Sequence, residues 1–106
     1  MADSPKPERV AEQMPRFART KKKLPGEAQK AVNDAMREIL ANPLIGAPKK
    51  GELAMMRVHK FKIGPLQLLL AYRFDVKRNV IEAWAVGPHE NFYRGLTDYV
   101  DARYKG

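Results

Sequence analysis

The chain has 106 residues, 44% of them apolar, and carries a formal net charge of +8. This length and composition predict a single domain over residues 1–106 with one modest hydrophobic core, and they exclude a wholly disordered chain. The lack of cysteine excludes disulfides and thiolate chemistry, and two histidines are too few for an ordinary structural zinc site, so we expect neither metal nor cofactor. The positive charge predicts attraction to RNA, to DNA or to an acidic protein.

The N-terminal region predicts neither export nor extensive structure. Residues 1–9, MADSPKPER, contain two prolines and no apolar segment like that of a secretory signal. No apolar run in the chain approaches the length of a membrane span. We therefore expect a cytoplasmic protein without membrane contact, whose residues 1–13 form a loose arm or, from Arg9 to Gln13, a weak first strand.

Two amphipathic helices joined by a short link are predicted next. From Pro15 the run PRFARTKKKL has apolar residues at helical spacing and a basic opposite side, formed by Arg16, Arg19, Lys22 and Lys23. After PGEA, apolar residues recur with a helical period from Ala28 to Leu40. This second helix should end at Asn42, because a residue before proline is disfavoured in the α region. The two helices predict a helical hairpin.

Three strands are predicted near residues 53–63, 66–75 and 80–87, where β-branched and aromatic residues replace the helical pattern. A symmetric turn at Gly64-Pro65 would pair Lys62 with Gln67 and Lys60 with Leu69. The same reasoning at VKRN pairs Arg73 with Glu82, Trp84 with Ala71 and Val86 with Leu69. From Glu90 onward a helical period returns and predicts a last helix to the C-terminus.

These elements predict an α+β fold in which an N-terminal helical hairpin packs on a small antiparallel sheet of three or four strands, followed by a C-terminal helix. Side chains alternate between the two faces of a strand, so one face of the predicted sheet points towards the helical hairpin. That face carries Phe61, Ile63, Leu66, Leu68, Leu70, Tyr72 and Phe74. The opposite face carries Lys60, Lys62 and Arg73 beside apolar residues, so it is half basic and half apolar. His59 lies on the hairpin side, where a packed or hydrogen-bonded histidine is the favoured interpretation.

This order of elements, with the segments NPLIGAPKKGEL, RVHKFKI, LLLAYRF and AVGPHENFYRGL, resembles the RelE/ParE superfamily of bacterial type II toxins over roughly residues 14–97. The resemblance implies a cytoplasmic toxin that is neutralised by an antitoxin encoded beside it. In the RelE branch such a toxin acts on translation, and in the ParE branch it acts on DNA gyrase. The charge of +8 further predicts that the antitoxin is acidic.

The resemblance also suggests a metal-independent catalytic site. Lys60 and Lys62 match the Lys-x-Lys pair of RelE-like nucleases, in which one lysine could serve as the base while the other holds the phosphate. RNA cleavage without a metal also needs cations that stabilise the charged phosphorane. Arg73 shares their predicted face and could either add a cation to the site or form a cross-strand ion pair with Glu82. His89 follows the Gly87-Pro88 turn as a candidate acid or base, and Tyr93 lies one helical turn later as a candidate donor to the leaving oxygen. Arg16, Arg19, Lys22 and Lys23 are candidate contacts to RNA phosphates.

Two departures from the RelE pattern leave alternatives open. Leu69 stands where those nucleases carry an arginine, and His89 stands near a second arginine position. The favoured hypothesis is a translation-dependent mRNA endoribonuclease that uses ribosome-bound message. The second is a ParE-like poison of DNA gyrase that needs no catalytic residues, and a weaker third is a plain basic nucleic-acid-binding domain.

An apolar strip on the half-basic sheet face is a candidate antitoxin-binding surface. It is formed by Met56, Val58, Leu69 and Trp84, with Ala71 between them. Either the last helix or a segment of the antitoxin is expected to cover this strip.

Overall fold

Three α-helices, one short 3-10 helix (Gly51–Leu53) and one mixed five-stranded sheet form the part of the chain that the computed structural model describes, residues 8–104. Residues 1–7 of the predicted arm and residues 105 and 106 of the predicted last helix lie outside the described residues. In chain order the elements are β1 (Val10–Gln13), α1 (Pro15–Lys22), α2 (Gly26–Ala41), β2 (Ala47–Pro48), β3 (Arg57–Ile63), β4 (Leu66–Asp75), β5 (Val80–Pro88) and α3 (Phe92–Tyr104).

The sheet has the strand order β1-β5-β4-β3-β2, with β1 parallel to β5 and every other pair antiparallel. This corrects the prediction of a purely antiparallel sheet of three or four strands, although the weak first strand is present. Both additional strands are short edge strands, and all residues of β1 and β2 are exposed. Exposed edge strands need no alternating apolar pattern, so their sequences carry little strand signal.

Helices α1 and α2 contribute to one hydrophobic core on one face of the sheet. The apolar stripe of α2 is buried there. Helix α2 ends at Ala41, and Asn42, the residue before Pro43, is its C-cap. Helix α1 begins at a proline in its first turn and adds Phe17, which is fully buried. The core is formed by Phe17, Val32, Ala35, Met36, Ile39, Leu70, Tyr72, Ile81, Ala83 and Val86. Burial of this stripe, rather than helix propensity, stabilises the two helices.

Helix α3 covers the other sheet face and corrects one prediction. Its Phe92, Leu96 and Val100 pack against the residues that were expected to form an exposed apolar strip. Met56, Val58, Leu69 and Trp84 are each no more than 3% exposed. Of the two covers considered for this strip, the chain's own last helix is therefore the correct one, and these four residues do not form an exposed antitoxin-binding surface.

The register between β3 and β4 is confirmed. Lys60 pairs with Leu69 and Lys62 with Gln67, because a two-residue link at Gly64-Pro65 sets the pairing. Gly64 has a φ of +56°, a conformation that suits glycine in such a tight hairpin.

A β-bulge at Trp84 changes the predicted register between β4 and β5. Arg73 pairs with Glu82 as predicted, but Ala71 pairs with Ala85 and Leu69 with Gly87. Trp84 is the extra residue, so Trp84 and Ala85 both face α3 while Val86 turns to the α1/α2 side. The predictions for Trp84 and Val86 were therefore wrong by one position.

Tyr72 anchors the loop between α2 and β2 to the sheet. Its buried hydroxyl donates to the Pro43 carbonyl at 2.7 Å and accepts from the Gly46 N–H at 2.9 Å. A Cβ atom on Gly46 would lie 2.8 Å from the Tyr72 ring, so the close approach requires glycine. Burial raises the pKa of Tyr72 above its ordinary value of 10.0, against smaller lowering effects of the Gly46 hydrogen bond and the Arg57 charge.

We predict that Tyr72→Phe destabilises the domain by about 1–3 kcal/mol, because it leaves two buried backbone groups without a partner. Urea unfolding of the two proteins at pH 7 measures this difference. Because the folded-state pKa is raised, the neutral tyrosine's contribution is fully present below pH 10 and is lost as the pH rises through the folded pKa. The difference between wild type and variant should therefore shrink above pH 10. A constant difference across that range would contradict the assignment.

Candidate active site on the α3 face of the sheet

Lys60 and Lys62 lie on the same face of the sheet as α3, but on the part of that face that α3 leaves exposed. Alternation along β3 places them on the same side as Val58, which packs in the α3 core. Both lysines are exposed, and neither takes part in an ion pair among residues 8–104. Their two ammonium groups are therefore available at this end of the sheet.

His89 and Tyr93 are brought to the same end by the last turn of β5. Pro88, the last residue of β5, pairs with Leu68, so His89 leaves the strand at the end of the sheet where Gln67 pairs with Lys62. Across two strand spacings the backbones of Pro88 and Phe61, the neighbour of Lys62, are roughly 10 Å apart. The His89 and Tyr93 rings meet edge to face with centroids 5.9 Å apart. His89 is exposed, whereas Tyr93 is half-buried.

Lys49 is a further cation beside Tyr93 that the predictions missed, although its backbone lies at the level of Met56, roughly 13 Å along β3 from Lys60. Its Nζ lies 4.9 Å from the centroid of the Tyr93 ring. The Lys49 N–H donates to the Met56 carbonyl at 3.1 Å, which extends the pairing of β2 with β3 by one position. The signal that could have found it is strand β2 itself, because pairing Lys49 with Met56 places both side chains on the α3 face.

Arg73 does not belong to this candidate site. It lies on the same face, but four residues from Leu69 along β4, which is roughly 13 Å towards the other end of the sheet. Its Nη1 donates to Glu82 Oε1 at 3.1 Å and lies 3.8 Å from Asp75 Oδ2. Trp84 Nε1 donates to the same Glu82 oxygen at 3.3 Å. Of the two roles expected for Arg73, catalysis or a cross-strand ion pair with Glu82, the ion pair is the one formed in the structure.

The four basic residues predicted to contact RNA on α1 separate into two kinds. Arg19, Lys22 and Lys23 are exposed. Arg16 is half-buried, donates to the Gly95 carbonyl of α3 at 2.8 Å, and stacks over the Tyr99 ring at 5.3 Å. Arg16 therefore connects α1 to α3, and a cleft of about 280 Å³ separates it from Gly87 and Asn91.

His59 is used structurally, as the alternation indicated. Its Nε2 lies 3.1 Å from Glu38 Oε1 on α2, and its side chain is only 12% exposed. This contact fixes β3 against α2 on the face opposite the lysine pair.

The candidate site combines the two exposed lysines of β3 with the imidazole of His89 and the phenol of Tyr93, whose ring also contacts Lys49. Ammonium groups can hold a phosphate and stabilise the charge that develops in a phosphorane. A neutral imidazole can take or give a proton, and a phenol can donate one. Within residues 8–104 no three His, Cys, Asp or Glu side chains are grouped so that they could hold a metal ion. The described helices include none long and apolar enough to cross a membrane.

Comparison with known sequences identifies one family. The sequence model of a family described as "ParE-like toxin of type II bacterial toxin-antitoxin system" matches residues 11–97. No curated protein sequence gives a significant match.

Solved structures share the fold at low identity. A chain of the toxin–antitoxin complex RelBE2 from Mycobacterium tuberculosis is 23% identical, with a TM-score of 0.67 over 77% of this chain and 99% of that one. A chain of the intact E. coli RelBE complex is 21% identical, with a TM-score of 0.64 over 77% and 98%. A free-state mutant of the E. coli toxin RelE is 18% identical, with a TM-score of 0.71 over 91% and 97%. At these identities the likeness shows the fold.

We predict a favourable coupling of about 0.5–1 kcal/mol between Arg73 and Glu82 in a double-mutant cycle of Arg73→Met and Glu82→Gln, measured by urea unfolding. The matched control is the exposed pair of Arg37 and Asp34, whose side chains are 72% and 57% exposed, against 34% and 13% for Arg73 and Glu82. Its cycle should give a smaller value because solvent screens the charges. Equal couplings in the two cycles would contradict a structural ion pair at Arg73.

Proposed function

The chain belongs to the ParE-like toxins of type II bacterial toxin-antitoxin systems, and we propose that within this family it is a RelE-like endoribonuclease that arrests growth by cleaving mRNA on translating ribosomes. The observation that supports the proposal is that Lys60 and Lys62 share the α3 face of β3, while β5 ends beside the β3–β4 hairpin and is followed by the contacting rings of His89 and Tyr93. The proposed site and its ribosomal target are cytoplasmic, and no cofactor takes part.

The proposed chemistry is transfer of the phosphodiester to the neighbouring 2′-hydroxyl. His89 removes the 2′-hydroxyl proton, the 2′-oxygen forms a bond to phosphorus, and the bond to the 5′-oxygen breaks. Tyr93 protonates that leaving oxygen, while Lys60 and Lys62 stabilise the additional negative charge of the phosphorane. The products are a 2′,3′-cyclic phosphate and a 5′-hydroxyl end. Together these groups supply each element that metal-free RNA cleavage needs.

Contact with ribosomal RNA is proposed for the exposed basic face of α1. Arg19, Lys22 and Lys23 point away from the core, and each phosphate contact would add a salt-dependent increment of affinity. Arg16 is not included, because its guanidinium is bound to α3.

One observation favours a second candidate, a non-enzymatic poison of DNA gyrase. Leu69 is 1% exposed beneath α3 and presents no cation beside Lys60. A binding toxin of the ParE branch, which gives the matching family its name, would not need such a cation.

We further propose that the partner of this chain is an acidic antitoxin. Two of the similar structures are toxin–antitoxin complexes, which supports a partner of this class. Among the described strands, β2 covers only Arg57 and Val58 of the outer edge of β3, so the edge from His59 to Ile63 is open. A cleft of about 350 Å³ beside exposed Ile45 lies at the start of this open edge. An extended acidic segment with an apolar anchor fits the edge, the cleft and the lysines.

We predict that Lys60→Met and Lys62→Met each reduce cleavage of a message on translating ribosomes by about a hundredfold or more and relieve growth arrest. Their melting temperatures should stay close to that of wild type, because exposed positions change stability by no more than about half a kilocalorie per mole. Lys77→Met, in the exposed turn between β4 and β5, is the matched control and should keep full toxicity.

If both lysine variants stay fully toxic while gyrase co-purifies with the chain and broken DNA accumulates, the nuclease proposal is wrong and the gyrase proposal replaces it.

For the partner, we predict that Ile45→Glu weakens binding of the acidic protein encoded beside this chain by at least about tenfold, as for an apolar anchor at an interface. Val76→Glu is the control, because Val76 is 72% exposed in the turn at the other end of β4. Isothermal titration calorimetry with purified proteins gives both affinities. Wild-type affinity of Ile45→Glu would exclude the β3 edge as the docking site, and the absence of any binding neighbour would exclude the antitoxin proposal itself.

A further inference from the structure

We infer that Lys49 is a phosphate-binding residue of the proposed RNA site, which holds the Tyr93 ring in place and contacts a phosphodiester of single-stranded RNA beside it. The inference rests on the proposed nuclease function and names a residue for which neither the Lys-x-Lys pattern nor the family match gives a role. Three observations support it: the position of the side chain, its surroundings and its charge.

The position of Lys49 follows from the pairing of β2 with β3. Ala47 pairs with Val58 and Pro48 with Arg57, and the Lys49 N–H then donates to the Met56 carbonyl at 3.1 Å. The side chain therefore leaves the backbone on the α3 face, the face of Lys60 and Lys62. Its neighbour Lys50 has no described ring contact and is exposed.

The surroundings of Lys49 fix the ammonium group at the candidate site. Nζ lies 4.9 Å from the Tyr93 centroid, and the Tyr93 ring in turn contacts His89 at 5.9 Å and Phe92 at 5.3 Å, both edge to face. The lysine is half-buried by this contact. A cation over an aromatic ring is attracted to it, so Lys49 restrains the Tyr93 ring that contacts His89.

The charge of Lys49 is not compensated by a carboxylate. None of the ion pairs between residues 8–104 includes Lys49, Lys60 or Lys62. Three ammonium groups on one face without a described acidic partner form a site for a polyanion. A phosphodiester chain fits this arrangement better than a single anion, because the cations are spread along β2 and β3.

The test compares Lys49→Met, Lys49→Arg and the control Lys50→Met. The probe is a single-stranded RNA oligonucleotide with 2′-deoxy residues that block cleavage, and fluorescence anisotropy gives its affinity between 50 and 200 mM salt, conditions in which phosphate contacts dominate. We expect Lys49→Met to lower the slope of log K against log salt by roughly 0.7, the value for one contact to a single strand. Lys49→Arg should retain the slope, and Lys50→Met should leave it unchanged.

Each outcome decides the inference. A wild-type slope for Lys49→Met, or a slope that falls equally in Lys50→Met, overturns it. A lower melting temperature of Lys49→Met with an unchanged slope assigns Lys49 a structural role only and also overturns it, as does failure of the wild type to bind the oligonucleotide. Failure of the nuclease proposal differs from failure of the Lys49 inference. If only the nuclease proposal is wrong, the message on ribosomes stays intact while RNA binding still depends on Lys49.

Discussion

The pairing of β4 with both of its neighbours is the constraint on which the rest of the structure depends. Leu70 and Tyr72 point from this strand into the core beneath α1 and α2, while Leu69 and Ala71 point into the core beneath α3. Since all four side chains are buried, a shift of β4 by one residue would exchange the two cores and leave neither filled. The same register sets Lys60 and Lys62 on the α3 face and brings His89 to their end of the sheet, so the candidate site is a consequence of core packing.

The sequence predicts those parts of the fold in which a local signal and core burial agree. The link at Gly64-Pro65 leaves only one compact pairing of β3 with β4, and the stripe of α2 is unbroken from Val32 to Ile39. Between β4 and β5 the predicted register is correct at Arg73 and Glu82 but wrong from Trp84 onward, where the bulge lies. An alternating pattern of residues does not reveal a bulge, because the bulge depends on how the large Trp84 ring packs in the core beneath α3. The edge strands β1 and β2 lie outside both cores and so lack apolar alternation.

The candidate site shows the same division. Parity along β3 is enough to set Lys60 and Lys62 on one face. The contact of His89 with Tyr93 is not a matter of helical spacing, because the last helix begins at Phe92 rather than at Glu90. Arg73 shares that parity, but parity gives the face and not the position along it, and Glu82 engages Arg73 at the far end of the sheet. Lys49 depends on a two-residue strand that only tertiary pairing reveals. Burial of Leu69 beneath α3 likewise follows from the placement of the last helix, which turns an apparent apolar binding strip into core.

The α3 face therefore consists of a half packed beneath α3 and a half that carries exposed lysines, where we propose that RNA is cleaved. Sequencing of RNA 5′ ends after brief induction of the wild-type chain tests this claim most directly. We expect new 5′-hydroxyl ends within translated reading frames, in fixed register with the ribosome, and we expect them to disappear when ribosomes are removed from the message. Intact messages in growth-arrested cells, with gyrase trapped on broken DNA, would contradict it.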